Sequence, residues 1–258
     1  MRQTTRAIVA AVLVLAAAPA FGQTPPRTTL PGSSFKANLT AEYLSRTVSW
    51  DEATRDSELR ALLAGLKLDV EFGGILTLSV LGGLSLSDFP ALTFRQLPIA
   101  LEYEAGFIQG IYVGGEIKTK LVASDTIEME VWGRYVTSLG TSKTWTIEDF
   151  GAPGEATGKP DWSLAEVGPR LTYARFQNAA PYLAVTANWL WGDFKMDETM
   201  GELAGSELKK VKGRGLVRAA LGTTLDLSSR IAVWGEAGLI PRSGGVDWNV
   251  RGALRFSF

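Results

Sequence analysis

The chain has 258 residues, 26 of them Lys or Arg and 27 Asp or Glu, with no His and no Cys. Without those two residue types it can build no Ser-His-Asp or Cys-His nucleophile, no imidazole or thiolate metal site, no haem or iron–sulfur centre of the usual kinds and no disulfide. The balanced charge also argues against a nucleic-acid partner held through phosphate neutralisation.

The first segment, residues 1–22, reads MRQTTRAIVAAVLVLAAAPAFG. A basic start (Arg2, Arg6) leads into the apolar run Ala7 to Ala18, then into small residues at Ala20 and Gly22. That is the layout of a secretory signal peptide, cleaved before Gln23. The apolar run is too short for a membrane helix, which needs about 20 residues. Without Arg2 and Arg6, 24 basic and 27 acidic groups remain, a net charge of -3. Residues 23–34, rich in Pro, Thr and Gly, read as an exposed lead-in, and 35–258 as one domain.

Within that domain period two dominates. In Tyr112 to Leu121 the apolar set is Val113, Ile117 and Leu121, alternating with Tyr112, Glu116, Lys118 and Lys120. Leu183, Val185, Ala187, Trp189 and Trp191 alternate with Ala184, Thr186, Asn188 and Leu190. Val246, Trp248, Val250, Leu254, Phe256 and Phe258 share a face opposite Asp247, Asn249, Arg251 and Arg255. Ten strands follow: Phe35–Trp50, Arg60–Gly73, Gly74–Ser87, Leu97–Leu121, Thr126–Ser138, Trp162–Phe176, Pro181–Phe194, Val211–Leu227, Arg230–Ile240 and Val246–Phe258. The fourth is longest and is read as one strand with an extension above the membrane. A turn at Gly106 to Gly110 would change the count, with 8 or 12 strands as alternatives.

The connections alternate in length. Short turns fall at Gly73-Gly74, Ala123 to Asp125, Gln177 to Ala180 and Ser228-Ser229. Longer loops fall at Asp51 to Leu59, Asp88 to Gln96, Leu139 to Asp161 and Lys195 to Lys210, with a brief one at Pro241 to Gly245. This sorting is what a closed, antiparallel, up-and-down transmembrane β-barrel shows, with short periplasmic turns and long outer loops. An even strand number puts both termini on the short-turn side.

The last strand, GALRFSF, carries Leu254, Phe256 and the terminal Phe258 on one face. It resembles the assembly signal of bacterial outer-membrane β-barrel proteins. In general pattern the chain resembles the small porin-like and opacity/OmpA-like barrels. The resemblance implies residence in the outer membrane, contact with its lipids and lipopolysaccharide, and insertion by the barrel-assembly machinery. Barrel enzymes of that membrane use a His, which this chain lacks, so no catalysis and no cofactor are expected.

In hydrocarbon a sheet survives only when closed, so the apolar faces point outward. Trp189, Trp191 and Trp248 then anchor the long-loop interface, and Tyr173, Tyr182, Phe256 and Phe258 the other. The opposite face lines the lumen with Glu116, Lys118, Lys120, Glu128, Glu130, Arg134, Glu166, Arg170, Arg214, Arg218, Arg251 and Arg255, joined by Glu42, Arg46, Lys67, Asp69, Glu71, Asp226 and Glu236. Ten of these are basic and nine acidic. A three-residue turn at Ala123–Asp125 sets Lys120 opposite Glu128 and Lys118 opposite Glu130.

A mixed lining predicts ion pairs across a small lumen, not a single-sign selective pore. Asp69/Glu71, Glu102/Glu104 and Glu128/Glu130 have the spacing of acid–base pairs, and neighbouring cations make them structural. Asp193, Asp197, Glu198 and Glu202 lack a cation-binding pattern, and no metal is expected. Lys209, Lys210, Lys212 and Arg214 form a basic run able to meet lipopolysaccharide phosphates. The expected function is a structural barrel or narrow passive channel for small solutes; the alternative is surface recognition through Leu139–Asp161 and Lys195–Lys210.

Overall fold

A computed structural model describes residues 33–50, 56–90, 93–94, 101–102, 106–147, 154–176 and 178–258. The signal-peptide reading of residues 1–22, the lead-in before residue 33 and Glu104 lie outside them. The strands in chain order are β1 (Ser34–Trp50), β2 (Ser57–Phe72), β3 (Leu76–Asp88), β4 (Thr93–Phe94), β5 (Leu101–Glu102), β6 (Ile108–Ala123) and β7 (Ile127–Gly140). They continue as β8 (Lys143–Ile147), β9 (Gly154–Tyr173), β10 (Ala179–Met200), β11 (Leu203–Gly213), β12 (Val217–Asp226), β13 (Ile231–Arg242) and β14 (Gly245–Ser257).

Ten of them close a ring through antiparallel pairs: β1, β2, β3, β6, β7, β9, β10, β12, β13 and β14, with β14 back on β1 from Lys36↔Ser257 to Ser45↔Trp248. The ten-strand expectation therefore holds. Its eighth segment, Val211–Leu227, is divided, since Val211–Gly213 end β11 and the wall strand begins at Val217, and its fourth segment does not hold as drawn either. Gly106 takes φ 64° and the strand begins only at Ile108, while Leu101–Glu102 pairs with Thr93–Phe94 instead of extending the wall. Closure leaves no edge in the band that meets lipid, the condition hydrocarbon imposes.

The tight turns expected from the sequence share one end of the wall, while two-residue turns at Gly201–Glu202 and Ser243–Gly244 close hairpins at the other. Gly73 and Gly74 take φ 61° and 69°, left-handed backbone that favours glycine, in the three-residue turn between the paired Phe72 and Leu76. Ser124–Thr126, the stretch after Tyr173 and the stretch after Asp226 make the others, and Ser34 and Phe258 lie at the same end. Outward faces are apolar as expected: Leu66, Val80, Leu84, Leu183 and Leu221 are each more than 45% exposed. That exposure is tolerable only against lipid.

At the opposite end the wall outgrows the membrane. β9 has 20 residues and β10 has 22, about twice the 9–11 a membrane strand needs. On β10 the outward series Leu183, Val185, Ala187, Trp189, Trp191 gives way to Asp193, Lys195, Asp197, Thr199. On β9, Glu155, Thr157, Lys159 and Asp161 face out beside them. Trp191 near Tyr135 (6.1 Å between ring centres) and Trp248 against Tyr43 (5.2 Å) mark the boundary. Beyond it the expected loops Leu139–Asp161 and Lys195–Lys210 are largely sheet. β8 continues β7 along β9, and β11 folds back on β10, its last residues bridging to β1 at Val48↔Gly213.

Candidate functional site: the barrel interior

Alternation turns Glu42 on β1, Arg134 on β7, Glu166 on β9, Arg218 on β12, Glu236 on β13 and Arg251 on β14 inward at one level. Arg134 bonds Glu42 at 2.5 Å and Glu166 at 3.4 Å, and Arg251 bonds Glu166 at 2.8 Å. Arg251 and Arg218 both hold Glu236, which also accepts from the Tyr182 hydroxyl at 2.8 Å. β7 does not neighbour β1, nor β9 β14, so these contacts cross the lumen. Three arginines against three glutamates make the lattice neutral. Glu42, Glu166, Arg218, Glu236 and Arg251 are each at most 6% exposed, which leaves no water column at this level. Burying such charges is tolerable only with this degree of mutual pairing. Above the lattice Arg46 reaches Asp247 at 3.4 Å and bonds Asn188, which itself donates to Glu166 at 3.0 Å.

Toward the tight turns the pairs are looser and wetter. Glu116 takes Lys118 at 2.8 Å and Lys67 at 3.1 Å, and Glu130 takes Arg170 at 3.0 Å. Lys36 meets Glu71 at 2.6 Å. Lys120 meets Glu128 at 3.1 Å, although the two are not directly opposite. A bulge between Lys120 and Val122 sets Lys120 opposite Glu130 and Ala123 opposite Glu128, while Lys118 faces Trp132. The expected Lys118–Glu130 pair is thus replaced by Lys118–Glu116 and Arg170–Glu130. A cavity of about 50 Å³ lies here, walled by side chains that include Tyr112, Trp132, Trp234, Arg170 and Arg255.

Toward the far end the interior is apolar. Phe194 lies edge-on to Phe89 at 5.4 Å and tilted against Phe94 at 5.5 Å, all three at most 1% exposed. Phe89 and Phe94 come from the connection between β3 and β6. Trp162, Leu44, Val48, Leu59, Leu63, Val136, Leu190 and Met196 complete this core, and the Trp162 ring N–H donates to Ser87 at 2.9 Å. Each buried phenylalanine stabilises by roughly 1.5–3 kcal/mol. Two carboxylates sit beside this core: Glu207, paired with Lys209, and Glu198, 1% exposed, with neither oxygen hydrogen-bonded among the described residues.

Eleven of the twelve expected lumen residues thus turn into the wall's inner side, from the lattice to the looser pairs, with Arg255 donating to Asn38 at 3.3 Å. Arg214 is the exception. It sits in the bend between β11 and β12, exposed, on Asp56 at 2.9 Å. Asp226 is likewise exposed. Tyr182, expected at the interface, points inward because it shares the even-numbered face of β10 with Asn188. In the basic run, Lys209 turns inward onto Glu207 at 2.6 Å and lies over the Phe94 ring, while Lys210 and Lys212 stay exposed. Asp193 and Asp197 face out but Glu198 faces in, so the acidic set does not converge. Among the described residues no group of three acidic side chains could hold a metal.

Sequence reading missed the phenylalanine core. The signal was present: Phe194, Met196 and Met200 alternate with Asp193, Lys195, Asp197 and Thr199, the same period with its sense reversed.

No family model matches the sequence, and no curated protein matches it. Among solved structures, the fold is similar to that of the outer membrane protease OmpT from Escherichia coli, with 11% identity, 90% of this chain and 99% of that chain covered, and a TM-score of 0.55. The beta domain of the Bordetella autotransporter BrkA aligns at 12% identity over 88% of this chain and 100% of that one, TM-score 0.47. An outer membrane channel from Pseudomonas putida F1 aligns at 10% identity over 92% and 100%, TM-score 0.41. The closed ten-strand ring, its outward apolar band and its aromatic boundary make this chain a membrane-spanning β-barrel, with the fold seen in OmpT.

Proposed function

We propose that the protein is a closed structural barrel of the outer membrane, whose lumen passes no solute at rest. The observation that carries this reading is double obstruction: the lattice of Arg134, Arg218 and Arg251 with Glu42, Glu166 and Glu236 crosses the lumen, and the Phe89–Phe94–Phe194 core fills it further out. The narrow-channel arm of the same reading requires both layers to rearrange. Catalysis is not part of it. The chain has no His or Cys, and Asp69, Glu71, Glu128 and Glu130 each lie against a cation (Lys67, Lys36, Lys120 and Arg170). The protease activity named for OmpT is not carried over, since 11% identity speaks to fold alone.

A second reading, surface recognition, is favoured by the polar outward sheet of β9 and β10 above Trp191. Lys210 and Lys212 are the basic side chains free to meet lipopolysaccharide phosphates there, and Leu254, Phe256 and Phe258 are the proposed contact for the assembly machinery. Single-channel recording in planar bilayers separates the readings. The folded protein is expected to show no discrete conductance steps in high salt. Regular steps that change when Lys118, Lys120 or Arg134 is neutralised would overturn the closed-barrel reading and establish the channel.

A further inference from the structure

We infer that the cavity between the lattice and the tight turns is a binding site for a small free oxyanion of the phosphate class, independent of whether the lumen conducts. The barrel's charge is balanced overall, but this cavity's wall is not: it carries six Lys and Arg side chains against two carboxylates, Glu42 and Glu116. Most of those cations are already spent on carboxylates. Arg255 is not. Its one hydrogen bond among the described residues goes to Oδ1 of Asn38 at 3.3 Å, and it pairs with no carboxylate there.

The wall's unspent groups are also of one kind. The Trp132 ring N–H and the Nε of Arg170 are buried and meet no acceptor among the described residues. Buried donors without acceptors are costly, so they select for an occupant that only accepts. A surplus guanidinium adds a forked donor that matches an oxyanion's geometry. A cavity of about 50 Å³ holds a few waters or one such ion, and excludes a nucleotide or a lipid tail. Solvent reaches this end, where the Lys36 and Lys120 side chains keep 28% and 37% of their surface exposed.

Trp132 and Trp234 stand in the wall and report occupancy by fluorescence. The protein, purified folded in an uncharged detergent, is titrated with inorganic phosphate against chloride at matched ionic strength. A saturable change with phosphate alone is expected, at least tenfold weaker in Arg255→Gln and less weakened in Arg255→Lys, which keeps the charge and loses the fork. Trp132→Phe keeps the ring and removes the donor, and is expected to weaken phosphate several-fold with Trp234 as reporter. No saturable response in the folded protein, or a response as strong as native in both Arg255→Gln and Trp132→Phe, overturns the site. A response to anionic phospholipid added in place of phosphate, with none to phosphate itself, overturns the free-anion assignment.

Discussion

Gly222 of β12 stands opposite Tyr182 of β10, and a Cβ added there would lie 2.3 Å from both Cζ and the hydroxyl oxygen of that ring. Bare backbone is what lets the tyrosine lie flat along the inner wall, where its hydroxyl reaches Glu236 and its face receives Arg170 at 4.3 Å. The same device recurs at Gly65, where an added Cβ would meet the Tyr112 hydroxyl at 2.7 Å and the carbonyl of Gly82 at 2.2 Å. Close packing of this kind transmits small insertions as strain. Gly222→Ala is therefore expected to cost about 1–3 kcal/mol, read as a lower urea midpoint in vesicles. In a Tyr182→Ala background the cost is expected to shrink by at least half, because the clash is specific to that ring. Equal costs in both backgrounds would place the strain elsewhere.

At the scale of elements, the chain divides where the sense of its alternation reverses. Below the Trp189–Trp191 and Trp248 belt, apolar side chains face lipid and charge is buried, so period two with an apolar face locates strands directly. Every outward face there was legible from residues such as Leu183, Val185 and Ala187. Above the belt water replaces lipid, and the same strands carry Asp193, Lys195 and Asp197 outside with Phe194 and Met196 inside. Charge on the outward positions makes those stretches read as loops, which is why β8, β11 and the upper halves of β9 and β10 were missed. Register within the wall was beyond sequence too, since the bulge after Lys120 has no compositional mark.

Glu198 belongs to this upper region. Burial raises its carboxyl above the usual carboxylate range, nearby Glu207 raises it further, and Lys209 offsets part of that. A carboxyl raised in the fold costs nothing below its unfolded pKa of about 4.3. Stability then falls as pH climbs through the elevated folded value and levels off beyond it. Amide exchange in the β10–β11 hairpin of Glu198→Gln is expected to match the native protein near pH 4 and to be slower than native near pH 8. Identical exchange at both pH values would sink this assignment.

For the whole molecule, what matters is that two obstructions of opposite chemistry sit in series. The lattice resists an applied field through mutual neutrality, since each guanidinium is held by carboxylates from more than one strand. The phenylalanine core resists by filling the lumen with packed rings, with Glu198 and the Glu207–Lys209 pair at its side, and an apolar constriction of that kind gates ions by excluding water. Opening either layer alone should therefore leave the other in place. Phe89→Ala, Phe94→Ala and Phe194→Ala combined remove the three rings at the centre of the core while the lattice stays neutral and complete. Replacing Glu42, Arg134, Glu166 and Arg251 together by Gln and Met removes four of the six lattice charges and leaves the core dry. Both sets are chosen to keep the outward faces, and hence insertion, unchanged. Neither set alone is expected to produce discrete steps in a planar bilayer, whereas their combination is expected to conduct. Steps from the phenylalanine set alone would show that the charged layer is permeable and that the outer core is the sole gate.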